Sequence, residues 1–222
     1  MKIRTLLLVG GALVMGMLAL SAWAWPQIPD GASIPIHWGP TGEADGYGPK
    51  WVGLLGLPAA AVAILVVMAV VPRIEPRRRN LERSSTAYVS IGIAVVAFQA
   101  ALHVFAVLAA LGRAANIAPV AGIGIGLLFV VMGNFLGKTR SSWLFGIRTP
   151  WTLSSERSWQ RTHRLGGYLF MALGLAMVLS ALLLPPQAFV WLLLGGLLGT
   201  VAVLVGYSYL VWRDDPDRSV TA

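Results

Sequence analysis

Long apolar stretches separated by short polar connectors dominate this chain. Six of them have the length of a bilayer crossing, at residues 5–25, 51–72, 86–111, 118–136, 165–184 and 188–212. A helix needs about 20 apolar residues to cross a hydrocarbon core of about 30 Å. The stretches are too long and too apolar for barrel strands, and the helix is the other structure that satisfies its own backbone in lipid. The pattern predicts an all-α integral membrane protein, a bundle of six transmembrane helices.

The connectors are too short to separate two domains, so we expect a single membrane domain over residues 1–222. Within it we distinguish an N-terminal helix pair, 1–85, with the loop 26–50, and a four-helix region, 86–222, with the loop 137–164. Residues 185–187 are so short a connector that the last two spans must form an antiparallel hairpin.

Composition supports a membrane protein and narrows its chemistry. Hydrophobic residues make up 57% of the chain and charged residues 12%, whereas a soluble domain carries about 25% charge. The absence of cysteine excludes disulfides, thiol catalysis and cysteine metal sites. The net charge of +8 is explained by membrane topology, so we expect no direct nucleic-acid contact. We also expect no cofactor.

The basic residues predict the orientation of the spans. Every lysine and arginine except Lys50 and Arg113 lies before the first span, in the loops 73–85 and 137–164, or after the last span. The positive-inside rule therefore places both termini and the two basic loops in the cytoplasm. The segments 26–50, 112–117 and 185–187 then face outward.

The first span also has features of a secretory signal. Lys2 and Arg4 precede an apolar run that ends in Ala22-Trp23-Ala24, a sequence similar to a cleavage site. Trp23 and Trp25 are typical of an interfacial aromatic belt instead. We expect the first span to be retained.

The outward loop 26–50 contains Ile, Trp and Tyr, so we expect it to fold back onto the outer ends of the spans. Ile34 to Trp38 has the composition of a short extended piece, and residues 41–48 have turn chemistry. Its candidate partner-binding residues are His37, Trp38, Asp45 and Lys50. We expect His37 to form hydrogen bonds within the loop, and Asp45 to accept turn N–H groups or to pair with Lys50. No familiar ligand spacing supports a metal site.

The cytoplasmic loop 137–164 contains the most specific motif, residues 146–153, which read Gly-Ile-Arg-Thr-Pro-Trp-Thr-Leu. Arginines beside aromatic residues are typical of a loop at the lipid headgroups. A helix that starts near residue 155, capped by Thr152, Ser154 or Ser155, places Trp159 and His163 on one face and can run into the fifth span. The candidate partner-binding residues on this side are Asn134, Arg140, Gly146, Arg148, Thr149, Pro150, Trp151, Thr152, Trp159, His163 and Arg164.

Two interpretations of this loop remain open from its residues alone. It can be a membrane-surface connector, with arginine on anionic lipid and tryptophan as an anchor. It can also bind a cytoplasmic partner, which explains why it is so much longer than the connector 185–187.

Inside the bilayer, the strong polar candidates are Gln99 and His103, four residues apart on one helix face. We expect His103 to bond another helix. A role of this pair in a small transporter or channel is an alternative hypothesis. A membrane-embedded enzyme that uses His163 is a weaker one, because no nucleophile elbow, H-E-x-x-H or paired-carboxylate pattern is present. We therefore expect that the protein is not an enzyme.

Three glycine pairs at four-residue spacing allow close helix contacts: Gly122 and Gly126, Gly133 and Gly137, and Gly195 and Gly199. We expect these pairs to pack inside the bundle rather than to form a dimer interface. The oligomeric state itself does not follow from the sequence.

With these residues in view, the chain resembles the SdpI family of bacterial membrane proteins, the immunity proteins against the sporulation-delaying toxin. The block from Ile34 to Lys50 is similar to the domain of unknown function often found at the N-terminus of that family. A second set of residues resembles the C-terminal signature of the family: Gly133, Asn134, Lys138, Gly146 to Leu153, Trp159, Thr162, His163, Arg164 and Gly167. Proline is expected near Gly137 and asparagine near Ser142, and neither is present, which bears on shared specificity more than on shared fold.

The resemblance implies a multi-pass protein of the bacterial plasma (inner) membrane. It implies two roles: immunity against a secreted membrane-active peptide toxin on the outside, and tethering of a cytoplasmic repressor in signal transduction. Besides the lipid bilayer, the implied partners are therefore the toxin and the repressor.

Overall fold

The computed structural model describes residues 2–114 and 116–218. Six helices in this part are long and apolar enough to cross a membrane, which confirms the predicted architecture. They are α1 (Ile3–Ala24), α2 (Lys50–Ile74), α4 (Ser85–Ala110), α5 (Ala118–Leu136), α7 (Glu156–Leu183) and α8 (Pro186–Arg213), and the short α3 (Arg78–Arg83) and α6 (Pro150–Leu153) lie in the basic loops. Met1 and residues 219–222, at the ends that we assign to the cytoplasm, lie outside the described residues, as does Ala115 of the loop 112–117.

Helix α7 begins at Glu156, well before the predicted start of the fifth span at residue 165. The short helix predicted near residue 155 and the fifth span are one continuous helix. Ser155 caps it by accepting a hydrogen bond from the Ser158 N–H, and Glu156 lies in the first turn, where its charge suits the helix dipole. The predicted capping and the predicted continuity are both confirmed.

The spans pack in two groups of three. Helices α1, α2 and α4 share an apolar core, and α7 packs between α5 and α8. Helix α4 also contacts α5 and so joins the two groups. The core of the first group consists of Leu6, Val14, Met17, Ala61, Leu65, Val89 and Val96.

Helices α5 and α7 approach backbone to backbone along a glycine seam. A Cβ added to Gly133 would lie 2.6 Å from the Gly167 carbonyl oxygen, and one added to Gly174 would lie 2.5 Å from the Gly126 carbonyl oxygen. The two crossings are seven residues apart on each antiparallel helix, the spacing at which the same face returns. The expected internal packing is confirmed for these glycines.

The pair Gly195 and Gly199 does not pack inside the bundle, and that expectation was wrong. No atom of the described chain lies within 4 Å of a Cβ built on either residue. Helix α8 buries a different face, formed by Thr200, Leu204 and Ser208. The four-residue spacing is common to both cases, and only the neighbouring helix distinguishes them.

The outward loop contains an antiparallel hairpin of β1 (Ser33–Trp38) and β2 (Ala44–Pro49). The sequence predicted the first strand, but it assigned residues 41–48 to a turn and so missed the second. Gly46 lies opposite His37, where an added Cβ would approach the His37 Cβ to 2.8 Å. The strand therefore depends on its partner across the hairpin, which local turn chemistry does not reveal.

The hairpin folds back onto the ends of the spans, as predicted. Ile34 is buried in a cluster with Leu54 and Val107. Trp38 packs edge-on against Phe105, with ring centroids 5.9 Å apart. The aromatic and aliphatic residues of the loop are thus the contacts that hold it on the bundle.

Each end of the bundle gathers the loops that the topology assigns to one side of the membrane. At one end, the Ile117 N–H donates to the Gly42 carbonyl oxygen at 2.9 Å, so the loops 26–50 and 112–117 meet. At the other end, Arg77 donates to the Leu153 carbonyl oxygen at 2.8 Å, so the two basic loops meet. The two loops of each pair therefore lie at the same end of the bundle, as six spans require.

The glycine seam predicts opposite outcomes for two Gly→Ala substitutions. Gly133→Ala forces a methyl group into the α5–α7 contact, and we expect it to destabilise the protein by about 1–3 kcal/mol. Gly195→Ala adds a methyl group in open space and should be neutral or slightly stabilising, because alanine favours helix. Thermal unfolding in detergent measures both. Equal unfolding midpoints for the two variants would contradict the seam.

Candidate functional site: the basic cap

The predicted cytoplasmic end is closed by a structure that we call the basic cap, residues 75–84, 137–164 and 214–218. It contains most of the basic residues and most of the candidate site residues. Its connecting segments have little regular structure, so their backbone groups need other partners. Buried side chains supply many of those partners.

The Glu75 carboxylate organises the start of the loop 137–155. It follows α2 directly and is only 4% exposed. Its Oε1 accepts the N–H groups of Arg77 at 2.9 Å and Trp143 at 3.0 Å. Its Oε2 accepts the Leu144 N–H at 2.8 Å and the Ser142 hydroxyl at 2.7 Å. One carboxylate thereby fixes three consecutive loop residues.

Burial on its own raises the pKa of the Glu75 carboxyl. The hydrogen bonds from Trp143, Ser142, Arg77 and Leu144 favour the charged form and more than offset burial, so the pKa lies below its usual value. The carboxylate is therefore ionised at neutral pH, as four donors require.

Arg77 ties both ends of the same loop to α3. Its guanidinium donates to the Ser141 hydroxyl and, at 2.8 Å, to the Leu153 carbonyl oxygen. It also lies 5.6 Å from the centroid of the Trp143 ring. The Asn80 amide donates to the Ser141 carbonyl oxygen at 2.9 Å. The two basic loops are thus one structure.

His163 and Trp159 form the buried centre of the cap. They stack with ring centroids 3.9 Å apart, as their predicted spacing on one helix face allows. His163 Nε2 accepts the Ile147 N–H at 2.8 Å, so the imidazole is neutral and its Nδ1–H donates to the Trp159 carbonyl oxygen. The Trp159 indole N–H donates to the Thr139 carbonyl oxygen at 3.1 Å. Both side chains are used to hold the loop.

Gly146 is required by this centre. Its φ is +114°, a conformation that L side chains rarely adopt. A Cβ there would lie 2.6 Å from His163 Nε2 and 2.8 Å from the Trp159 ring. The loop can therefore cross the His163–Trp159 stack only at a glycine.

The Thr-Pro-Trp-Thr part of the motif is a helix start. Thr149 and Thr152 form a capping box around α6, with Pro150 in the first turn. The Thr152 hydroxyl donates to the Ile147 carbonyl oxygen at 2.9 Å. The Thr149 hydroxyl lies 3.1 Å from that of Ser208, which links the motif to α8.

The segment after α8 closes the cap from the other side. Besides capping α7, the Ser155 hydroxyl donates to the Asp215 carboxylate, and this hydrogen bond holds the pKa of that carboxyl below its usual value. The Ser158 hydroxyl donates to the Ser208 carbonyl oxygen at 2.8 Å, and Arg157 donates to the Asp214 carbonyl oxygen at 3.2 Å. The start of α7 is thereby joined to the end of α8.

Burial separates the candidate residues of the cap into two sets. Thr149, Thr152, Trp159 and His163 are buried, so their side chains hold the loop and are not presented to a partner. Trp151 is half-buried and packs edge-on against Tyr209, with ring centroids 5.3 Å apart. The exposed members are Asn134, Arg140, Arg148, Pro150 and Arg164. Of these, Arg148 donates to the Trp143 carbonyl oxygen at 2.9 Å, which directs its guanidinium along the surface of the loop.

The polar residues of the outward hairpin pair differently from the prediction. His37 Nδ1 lies 2.5 Å from the Asp45 carboxylate, so His37 is bonded within the loop as expected. Asp45 does not pair with Lys50, because β2 places it at the hairpin tip while Lys50 begins α2. Lys50 pairs with Asp30. Among the described residues, no third His, Asp or Glu completes a metal-binding group.

His103 joins three helices inside the bundle, as predicted for a histidine bonded to its neighbours. It is fully buried, and its Nε2 lies 3.0 Å from the Ser21 hydroxyl and 3.1 Å from the Met17 carbonyl oxygen. The Ser21 hydroxyl also lies 2.6 Å from the Leu54 carbonyl oxygen of α2. Gln99 is half-buried, and within the described chain its Oε1 has no hydrogen-bond partner.

Glu75, Arg77 and Asp215 were not among the site residues predicted from the sequence. Glu75 is the one acidic residue between the second span and α3, and an isolated carboxylate directly after an apolar stretch is a usable signal. Arg77 and Asp215 have no such signal. Arg77 is one of five arginines in its loop, and the partner of Asp215 is distant in sequence.

Comparisons with known proteins match two regions of the chain. The model of the SdpI/YfhL protein family matches residues 138–208, and that of a domain of unknown function (DUF1648) matches residues 12–62. Immunity protein SdpI of Bacillus subtilis (strain 168) is 32% identical over 73 residues. The region 138–208 is thus similar to the SdpI family. That aligned region covers 33% of this chain and 35% of the relative, so it spans about a third of the relative's length. No solved structure matches the chain.

The SdpI-family match coincides with one structural unit. Residues 138–208 contain the loop of the basic cap, all of α7 and most of α8, including the His163–Trp159 stack and the capping box. The other match contains the hairpin and the adjoining parts of α1 and α2. Glu75 lies between the two matched regions, although it anchors the loop of the family unit.

Removing the charge of Glu75 should loosen the cap. Glu75→Gln replaces an acceptor oxygen by an NH₂ group that faces donors, and we expect a loss of about 2–3 kcal/mol of stability. Glu82→Gln is the control, because Glu82 forms only an exposed ion pair with Arg78, and such helix pairs contribute about 0.3–0.5 kcal/mol. Unfolding of both variants in detergent at pH 7 tests this. A loss for Glu75→Gln no larger than for Glu82→Gln would refute the role of Glu75.

The same variant has a defined pH dependence. Because the folded pKa of Glu75 is lowered, its contribution is complete above the unfolded pKa of about 4.3. It is lost as the pH falls through the folded pKa. The difference in unfolding midpoint between wild type and Glu75→Gln should therefore be constant at neutral pH and shrink below about pH 4. A difference that grows on acidification would have the wrong sign.

Gly112 and Gly146 both have a positive φ, and replacing each by alanine distinguishes the cost of backbone strain from the cost of a steric clash. Gly112 has a φ of +70° and no described atom within 4 Å of an added Cβ, so Gly112→Ala should cost only the conformational strain of about 1–2 kcal/mol. Gly146→Ala adds a collision with the His163–Trp159 stack and should cost about 1–3 kcal/mol more. Detergent unfolding and Trp fluorescence measure the effect. Equal losses would mean that the loop does not need to touch the stack.

Proposed function

We propose that this protein gives immunity to a secreted membrane-active peptide and that it acts in the bacterial plasma membrane without catalysing a reaction. The observation that carries the proposal is that one six-helix bundle holds an ordered structure at each end. The hairpin lies at the predicted outer end, and the basic cap lies at the predicted inner end. The similarity to Immunity protein SdpI supports the same function.

The hairpin is the part of the protein that a peptide reaches from outside. It exposes Ile36, Tyr47 and the His37–Asp45 pair while it is held on the bundle by Ile34 and Trp38. Exposed apolar side chains on an ordered scaffold favour contact with an amphipathic or apolar peptide. We therefore assign the first contact with the toxin to the hairpin.

The exposed arginines of the basic cap favour a second, cytoplasmic contact. Arg140, Arg148 and Arg164 are exposed on a loop whose backbone is fixed by Glu75 and His163. Ordered arginines suit carboxylates on a protein surface, because the guanidinium binds them through two parallel hydrogen bonds. We assign to this surface the tethering of a cytoplasmic repressor.

A small transporter or channel is supported less well. The buried polar pair on which it rests is partly used in packing, since His103 is bonded to α1. Purified protein in liposomes that conducts an ion or solute, and loses this activity in His103→Ala, would favour the transporter instead.

The proposal is tested by survival of Bacillus subtilis cells that lack their own immunity protein and are challenged with the sporulation-delaying toxin. Expression of the wild-type chain should restore growth. The wild-type chain should also hold the host's repressor at the membrane, which cell fractionation measures. Arg148→Ala should abolish that retention without reducing the amount of protein in the membrane, because Arg148 is exposed.

Arg79→Ala is the matched control, since Arg79 is an exposed arginine on the same side but outside the matched family region. It should retain the repressor like the wild type. Failure of the wild-type chain to protect would refute the immunity function. Retention of the repressor by Arg148→Ala at the wild-type level would refute the role of the exposed arginines.

A further inference from the structure

A cleft of about 370 Å³ opens between the hairpin, the end of α1 and the start of α2, at the predicted outer end. Two indole rings, Trp25 and Trp51, line it together with Lys50, and short residues of the hairpin complete its wall. The cleft is separate from the basic cap and from the His37–Asp45 pair.

Lys50 is a largely covered cation in this cleft. Only 12% of its side chain is exposed. Its ammonium lies 4.8 Å from the centroid of the Trp25 ring and donates to the Ile28 carbonyl oxygen at 3.3 Å. Neither partner carries a charge, so the ion pair with Asp30 supplies the counter-charge.

The Asp30 carboxylate contacts the Lys50 ammonium from the solvent side. Its side chain is 96% exposed. It lies in a turn closed by the Ala32 N–H on the Pro29 carbonyl oxygen, at 3.2 Å, and Gly31 supplies the positive φ that such a turn needs. The hydrogen bond and the charge of Lys50 lower the pKa of the Asp30 carboxyl. Asp30 therefore occupies the place where an external anion would reach Lys50.

The tryptophans indicate which anion is present at this level. Trp51 is 60% exposed and Trp23 is 49% exposed, and both lie at the predicted outer ends of spans. Exposed indoles at the ends of transmembrane helices lie among lipid headgroups. The abundant anionic group at that depth is the phosphate of a phospholipid.

We propose that Lys50, Trp25 and Trp51 form a binding site for the phosphate of an outer-leaflet phospholipid, and that Asp30 competes with the lipid for the Lys50 ammonium. The headgroup phosphate takes the Asp30 position on the ammonium, and the indoles flank the glycerol and the first acyl carbons. Net anionic headgroups are preferred over zwitterionic ones, because the cleft becomes cationic when Asp30 leaves. This site is independent of the proposed immunity function.

The two partners of the ion pair must respond with opposite signs. The full-length protein in detergent is titrated with short-chain phosphatidylglycerol, and binding is followed by native mass spectrometry. Asp30→Asn should tighten binding about threefold, because it removes a competing surface ion pair. Lys50→Gln should weaken binding at least about tenfold, because it removes a charge-assisted hydrogen bond. Lys50→Arg should retain most of the binding.

Arg113→Gln is the matched control, because Arg113 is also a cation over an indole at this end, 5.8 Å from the Trp23 centroid. It should leave binding unchanged. A decrease equal to that of Lys50→Gln would mean that net charge, not a site, attracts the lipid. Asp30→Asn binding more weakly than wild type would overturn the competition. Displacement of the lipid by inorganic phosphate at the same concentration would overturn the assignment to a lipid. If Lys50→Gln fails to fold, the sign of the Asp30→Asn effect decides.

Discussion

The close approach of α5 and α7 is the constraint on which the rest of the molecule depends. Apolar side chains gain little by leaving lipid for one another, so membrane helices associate through packing and hydrogen bonds. Here the packing is backbone against backbone, at Gly126 with Gly174 and at Gly133 with Gly167. These contacts fix the position of α7, and α7 continues beyond them into the basic cap. The His163–Trp159 stack therefore has a defined place on which the loop can fold.

The basic cap shows how an irregular segment becomes ordered at the end of a bundle. Its backbone N–H groups find acceptors in one buried carboxylate, Glu75, and one neutral imidazole, His163. Neither acceptor meets bulk water, and both lie under the loop that they hold. The exposed Arg148 adds one hydrogen bond at the surface, to the Trp143 carbonyl oxygen. Within the motif, buried side chains hold the loop, and the recognition that we propose falls to exposed ones.

The sequence predicts those features of the structure that depend on local residue patterns and on the thickness of the membrane. The six helices follow from apolar length, and the capping by Ser155 and the shared face of Trp159 and His163 follow from helix geometry. Strand β2 was missed because glycine-rich residues pair only when β1 lies beside them. The predicted pairing of Lys50 with Asp45 was wrong. Asp45 is nearer to Lys50 in sequence, whereas the turn at Gly31 brings Asp30 nearer in space. Contacts between distant segments, such as that of Ser155 with Asp215, leave no periodic signal.

The hydrogen bond between Ser155 and Asp215 also sets an order of events during synthesis. Asp215 follows every membrane-spanning helix, so its carboxylate does not exist while the ribosome is still making α8. The core of α1, α2 and α4 needs no residue beyond the third span and can assemble while translation continues. The part of the basic cap that contacts α8 and Asp215 has to wait until these residues have been synthesised. A nascent protein stalled within α8 would therefore have its hairpin in place and its basic cap still incomplete.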